Sequence, residues 1–337
     1  MRIAIDAMGG DNAPREIVKG ALEAARELNV DIVLVGDQDQ ITAFTGDAPD
    51  NVTIVHCSQV IGMDEKPGVA VRKKPEASIC VATKLVRDGE ADAVVSAGNT
   101  GAQMAAALLF LGRMPNVHRP AIGTALPAMG RPKLLLDAGA NVDCHPENLL
   151  EFAIMGSSFA ETVMGVRDPL VGLLNIGSEE SKGNSLTLEA YKLLKSAKIN
   201  FYGNIEAREI PSSEVNIIVC DGFIGNALIK FGEGLVKRFY GLMEDCVSQS
   251  VLTKIGGMCL LPAIKEMKNK LDWEESGGAP LLGVNKVSIV CHGSSNAHAV
   301  KSAVKVAKSC ISNDFIQHMS DSIRGEKVTP CSTEQKQ

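Results

Sequence analysis

Short apolar runs recur along the chain, and each ends in a cluster of small and polar residues. They are Ile3-Ala4-Ile5, Asp31 to Gly36, Val52 to Val55, Ala93 to Ser96, Lys133 to Leu136, Leu170 to Asn175, Val215 to Cys220 and Val287 to Cys291. Runs this short, apolar without alternation, read as strands covered on both faces. Helical stretches separate them. The spacing predicts helices from about Pro14 to Leu28, Pro75 to Asp88, Pro146 to Gly165, and from the strand-end loops to Lys198, Cys246 and Met319. Alternation of this kind predicts an α/β fold: a three-layer α/β/α arrangement, Rossmann-like, around a mostly parallel sheet. The clearest unit is Asp92 to Gly112. Its strand ends in Ala97-Gly98-Asn99-Thr100-Gly101 and an Ala-rich helix follows, capped by Asn99 or Thr100.

Other stretches refine this picture. Ile122 to Leu126 reads as one more strand, and His56 to Lys74 as a long basic loop. In Gln249 to Lys268, Gly256-Gly257 and Pro262 are expected to interrupt any helix. The pattern gives a single large α/β domain over 1–320, a partly apolar helical projection near 240–270, and a polar tail over 321–337. A chain of 337 residues is long enough for a large core. Its net charge of -6 and its 4% aromatic content argue against nucleic-acid binding. Nine cysteines without a C-x-x-C pair fit a reducing cytoplasm better than disulfides or zinc. No apolar run approaches the roughly 18 residues of a membrane span.

Ligands of open parallel sheets bind beyond the carboxyl ends of the strands. Those ends supply the candidates for phosphate and substrate: Asp6, Gly9, Gly10, Asp11, Asn99, Thr100, Gly101, Asp137, Asn141, Asn184, Asp221, Gly222, Ser294 and Ser295. Asp137 and Asn141 either face a ligand or only shape their turn, as Asp and Asn often do. Lys182 is the lysine among these loops, and Asn226 opens the helix after Asp221. Together with the helix start at Thr100 they are candidates to hold an anion and a developing oxyanion. His292, after the last strand, is either a proton donor or a capping histidine. Lys66, Arg72, Lys73 and Lys74 form a candidate landing site for an acidic partner, or simply a solvated loop. Val251, Leu252, Ile255, Leu260 and Leu261, near Lys254, Lys265 and Lys268, are candidates for membrane contact, or for core or a subunit interface.

Taken in order, M-G-G-D-N-A-P, S-A-G-N-T-G-A, D-A-G-A-N-V-D-C, N-I-G-S-E-E-S-K-G-N, D-G-F-I-G-N, G-G-A-P-L-L-G-V and H-G-S-S resemble the phosphate acyltransferases of phospholipid synthesis, the PlsX family. The resemblance runs from Met1 to about Met319, with Ser276 and Asn296 where the family pattern has Tyr and Asp. It implies a fold like that of the isopropylmalate dehydrogenase and phosphotransacetylase group. It implies transfer of a fatty acyl group from acyl-acyl carrier protein to inorganic phosphate, without cofactor or metal. The expected product, acyl phosphate, is passed to a membrane glycerol phosphate acyltransferase. A homodimer in the cytoplasm, peripheral to the inner face of the cell membrane, is implied as well.

Two other classes are open to the residues. A nicotinamide-dependent dehydrogenase suits the fold, but no G-x-G-x-x-G with a following acidic ribose ligand occurs. A covalent acyltransferase would use Cys144 beside His145, or Cys291 beside His292. A non-catalytic scaffold for lipid enzymes fits poorly with so many polar loops at strand ends.

Overall fold

The computed structural model describes residues 1–127, 131–271 and 277–325. The chain begins with β1 (Arg2–Asp6), α1 (Arg15–Leu28), β2 (Asp31–Gly36), α2 (Gln38–Thr45) and β3 (Val52–His56). The basic stretch that follows is not all loop, since it contains the short helix α3 (Pro67–Lys73). Then come α4 (Ser78–Arg87), β4 (Ala93–Ser96) and α5 (Thr100–Ala106), which continues into a π-helical turn over Ala107–Leu111. Gly112 ends it at a positive φ of 77°.

Next are β5 (Ala121–Ile122), β6 (Thr124–Leu126), β7 (Lys133–Leu136), α6 (Pro146–Thr162), β8 (Val171–Asn175), α7 (Ser185–Ser196), β9 (Phe201–Glu206) and β10 (Ile217–Val219). The chain closes with α8 (Gly222–Ser248), α9 (Val251–Leu271), β11 (Ala279–Leu282), β12 (Val287–Val290), α10 (Ala297–Ser312) and α11 (Phe315–Gly325). Helix α11 extends into the expected polar tail and buries Ile323.

The strands form two sheets. The first has the order β3-β2-β1-β4-β12-β11-β5 and the second β6-β7-β10-β8-β9. Pairing is parallel except at one edge of each, where β11, β5 and β6 run antiparallel. The fold is α/β and mostly parallel, with the sheet divided in two. The division falls inside the single strand expected over Ile122 to Leu126: Ile122 pairs in the first sheet and Thr124 in the second, with Gly123 between them.

One core cluster crosses both sheets, from Ile3, Ile5 and Val95 to Leu134, Leu136 and Ile217. Leu134, Leu135 and Leu136 are fully buried, which is why an unalternating triplet marks a strand here. Each such side chain stabilises the fold by about 1.5–3 kcal/mol.

Helices α8 and α9 are different. Over its 27 residues α8 buries only Gly222 and Gly225. Ile224, Phe231, Leu235, Phe239 and Leu242 are exposed along it. Helix α9 runs through Pro262, where a break was expected. A side chain on Gly257 would overlap Val247 of α8, so this glycine lets the two helices lie close. Packing on α8 thus offsets the helix-breaking cost. Leu252, Ile255, Leu260 and Leu261 stay exposed. No helix among the described residues is long and apolar enough to cross a membrane.

Candidate active site

Strand order explains how loops far apart in sequence meet. In the first sheet β1, β4 and β12 are parallel neighbours, so their carboxyl ends form one row: Asp6, Ala97 and Cys291-His292. In the second sheet β7, β10 and β8 form another row: Asp137, Asp221 and Asn175. The rows are joined at β5. Ile122 N–H donates to Asp137 Oδ1 at 3.0 Å, and Ala138 N–H donates to Ile122 O at 2.9 Å. Ala138 and Ala140 also pack on the cluster that holds Ala102 and Ala106 of α5.

In the first row Asp6 is buried, and its Oδ2 accepts the Ser96 hydroxyl at 2.7 Å. Burial pushes its pKa up, against hydrogen bonds that pull it down. A carboxylate beneath the Met8-Gly9 turn shapes the loop and offers nothing to an anion. Gly10, at a φ of 109°, lies between the carbonyls of Ala97 and Gly293. Asp11 is exposed, and its N–H donates to Gly293 O at 2.7 Å. Neither Asp11 nor Asn12 caps α1, whose N-cap is Pro14. Asn12 Nδ2 instead donates to the carbonyls of Ser294 and Ser295.

Asn99 Oδ1 caps α5 by accepting Ala102 N–H, and its amide donates to the carbonyls of Gly62, Met63 and Glu65. It joins the basic stretch to the strand-end loop, with Gly101 against Pro67 and Thr100 exposed. His292 is exposed. Its Nδ1 accepts the Ser294 N–H at 3.3 Å and lies 2.8 Å from Ser294 Oγ. On that assignment the ring proton sits on Nε2, free to donate outward. Ser295 is buried.

In the second row Asp137 is fully buried. Its two oxygens accept the N–H groups of Ile122, Gly139, Ala140 and Asn141, and also Asn141 Nδ2. Asn141 Nδ2 donates as well to Pro120 O at 2.7 Å. Of the two roles the sequence leaves open, the geometry places both side chains in the turn. Asp221 caps α8 through Ile224 N–H, and Gly222 N–H donates to Asn141 O. A side chain at Gly225 would overlap Asp137 O, so that helix turn can only be glycine. Asn184 is likewise spent, capping α7 in a reciprocal pair with Thr187.

Lys182 and Asn226 remain open, both exposed, with Asn226 against Gly139. Lys182 Nζ lies 4.0 Å from Glu179, a loose surface pair. Burial, as the leading cause, pushes the nearby thiols Cys144 and Cys291 up to about 12 and Cys220 well above its ordinary value, which disfavours their thiolate forms.

The basic stretch splits in two. Lys74 Nζ is tied to Glu65 and to Val60 O. Lys66, Arg72 and Lys73 are exposed and, with Pro67, Gly68 and Val69, line a shallow hollow. Of the two departures from the family pattern, Asn296 caps α10 as an Asp would. Ser276 lies outside the described residues.

Sequence reasoning did not single out Ser96, whose hydroxyl ends an apolar strand and donates to Asp6.

Similarity to known proteins fits this arrangement. A family model described as "Fatty acid synthesis protein" matches residues 1–318. The chain is 54% identical over 323 residues to a phosphate acyltransferase of Moorella thermoacetica, covering 95% of each. It is 53% identical to one of Heliobacterium modesticaldum, covering 98% of this chain and 99% of the other. Among solved structures, a phosphotransacetylase from Streptococcus pyogenes superposes with a TM-score of 0.61 at 16% identity, over 96% of this chain and 94% of that one. A branched-chain phosphotransacylase from Enterococcus faecalis gives 0.55 at 15% identity, over 92% and 99%. The structural matches speak for the fold. The full-length sequence matches establish that the chain belongs to the fatty acid synthesis protein family, whose relatives here are phosphate acyltransferases.

Proposed function

We propose that the chain moves a fatty acyl group from acyl-acyl carrier protein to inorganic phosphate, giving acyl phosphate. The observation that carries this reading is chemical: the strand ends hold an open cation, Lys182, beside thiols whose thiolate form burial disfavours. Phosphate itself is then the attacking group. One phosphate oxygen adds to the thioester carbonyl, the C–S bond breaks, and the carrier leaves as a thiolate that takes up a proton. The protein's part is to fix the dianion, receive the oxyanion and protonate the sulfur. Lys182 serves the first task, donors at the starts of α5 and α8 the second, and His292 Nε2–H the third. A free thiol has a pKa of about 8.5, so only modest proton assistance is required.

The test is to incubate the protein with an acyl-acyl carrier protein and labelled phosphate, and to look for hydroxylamine-sensitive acyl phosphate. Product absent with active carrier substrate sinks the reading. Within it, Lys182→Ala raises the phosphate KM or lowers kcat by about tenfold or more, as loss of a charge-assisted contact implies. Parental kinetics in the folded variant remove Lys182 from the site.

In this reading the open cations of the basic stretch receive the acidic carrier. Reversing Arg72 and Lys73 to Glu weakens use of the carrier substrate, with a loss that shrinks as salt rises. A small acyl thioester continues to react. Equal loss with both substrates assigns the stretch to the site instead. The same reading makes the chain a homodimer working in the cytoplasm at the membrane surface and feeding a glycerol phosphate acyltransferase there. The exposed apolar faces of α8 and α9 support it.

A further inference from the structure

The connection from the end of α5 to β5 holds an arginine that nothing above uses. Arg119 is exposed, and among the described residues no carboxylate or carbonyl is bonded to its guanidinium. Its neighbours are fixed on both sides. The N–H of His118 donates to Glu151 Oε2 at 2.9 Å, and His118 Nδ1 bonds Glu151 Oε1. Arg113 donates to His118 O at 2.6 Å and to Val117 O at 3.3 Å. Beyond Arg119, the carbonyl of Pro120 accepts Asn141 Nδ2 at 2.7 Å.

Glu151 lies within α6 and is fully buried. A buried carboxylate facing a single histidine is a costly way to hold a surface connection. What it achieves is a fixed backbone on either side of one free guanidinium. Two arginines thus stand in this connection, one spent on carbonyls and one open.

The anchor at Asn141 sets where Arg119 stands. Asn141 belongs to the Asp137 turn, and its carbonyl accepts the first N–H of α8. Cys144 Sγ donates to the same carbonyl, and the charge of Arg119 is felt at that thiol, where it opposes the upward push of burial. The backbone that carries Arg119 is therefore tied to the turn at the carboxyl end of β7, with its charge near Cys144 beside that turn.

We propose that Arg119 is a binding residue for inorganic phosphate, and that His118 and Glu151 are positioning residues that hold it there. The proposal rests on the phosphate transfer inferred above. A planar guanidinium suits an oxyanion because two parallel N–H donors reach two oxygens at once. With Lys182 it supplies two positive charges to a dianion.

Phosphate binding to the full chain is read by titration calorimetry, which requires no turnover. Phosphate KM and kcat are read in parallel. Arg119→Ala is expected to weaken phosphate binding and raise its KM by about tenfold or more, with kcat changing less. Arg119→Lys recovers part of the loss. Glu151→Gln is expected to weaken phosphate binding in the same direction, and no further once Arg119 is already Ala. Unchanged phosphate binding in folded Arg119→Ala overturns the proposal. So does a rise confined to the acyl donor's KM, which would assign the guanidinium to the donor. If the parent binds phosphate but makes no acyl phosphate, the proposed reaction fails while the binding assignment stands.

Discussion

Asp137→Ala destabilises the chain by about 4 kcal/mol or more, with the loss seen as a lower denaturant midpoint. The change removes the acceptor of four main-chain N–H groups, those of Ile122, Gly139, Ala140 and Asn141. Each buried donor left unpaired costs about 1–3 kcal/mol. Asn141 also loses one partner for its amide. Because Ile122 belongs to the first sheet and Asp137 to the second, the damage reaches the join between them. Asp137→Asn keeps one acceptor oxygen and falls between parent and Ala. A variant as stable as the parent but inactive would mean that the carboxylate serves the reactants and not the turn.

The second large effect concerns α9. Under the proposed membrane contact, Leu260→Glu with Leu261→Glu is expected to abolish co-sedimentation with anionic liposomes and to leave the protein folded and active on soluble substrates. Both leucines are 58% exposed, and Leu252 and Ile255 are 80% and 56% exposed. Lys254 and Lys265 lie on the same helix. Burying a leucine in an apolar phase is worth roughly 1.5–3 kcal/mol, so two or three give reversible attachment. Two glutamates remove that term and add repulsion from anionic lipid. Dissociation or unfolding of the variant would instead assign the face to contact between copies of the chain. A parent that never sediments with vesicles would remove the membrane from the account.

Most of the strands were legible because burial on both faces writes them as plain apolar runs, whereas β11 lies in a Gly-rich stretch that reads as a loop. Ile122 to Leu126 reads as one strand for the same reason, and only the path of the chain at Gly123 divides it between sheets. The projection near 240–270 was expected to be helical, but the continuity of α9 escaped because local propensity at Gly256, Gly257 and Pro262 speaks against it, while the contact of Gly257 with Val247 comes from the packing of α9 on α8. The site was legible by position and not by direction. Sequence places Asp137, Asn141 and Asn184 at strand ends, yet whether a polar side chain faces the ligand or its own backbone depends on which N–H groups the turn leaves open. Arg119 had no pattern at all. Its candidacy comes from a carboxylate on α6 that fixes the residue beside it.

The root of α8 has a consequence for how the molecule comes apart. That 27-residue helix is seated in the body by its first two turns, where Gly222 and Gly225 are buried and Leu228 and Ile229 pack on the core of the second sheet. Beyond that seat its apolar side chains, Phe231, Leu235 and Phe239 among them, face outward. A segment with so little buried surface opens at a free energy far below that of the sheets, as a separate cooperative unit. In a single chain the hairpin of α8 and α9 can melt and re-form while the strand-end loops keep their order. Unfolding of the isolated chain is then a sequence of at least two transitions, with helical signal lost before the core is exposed.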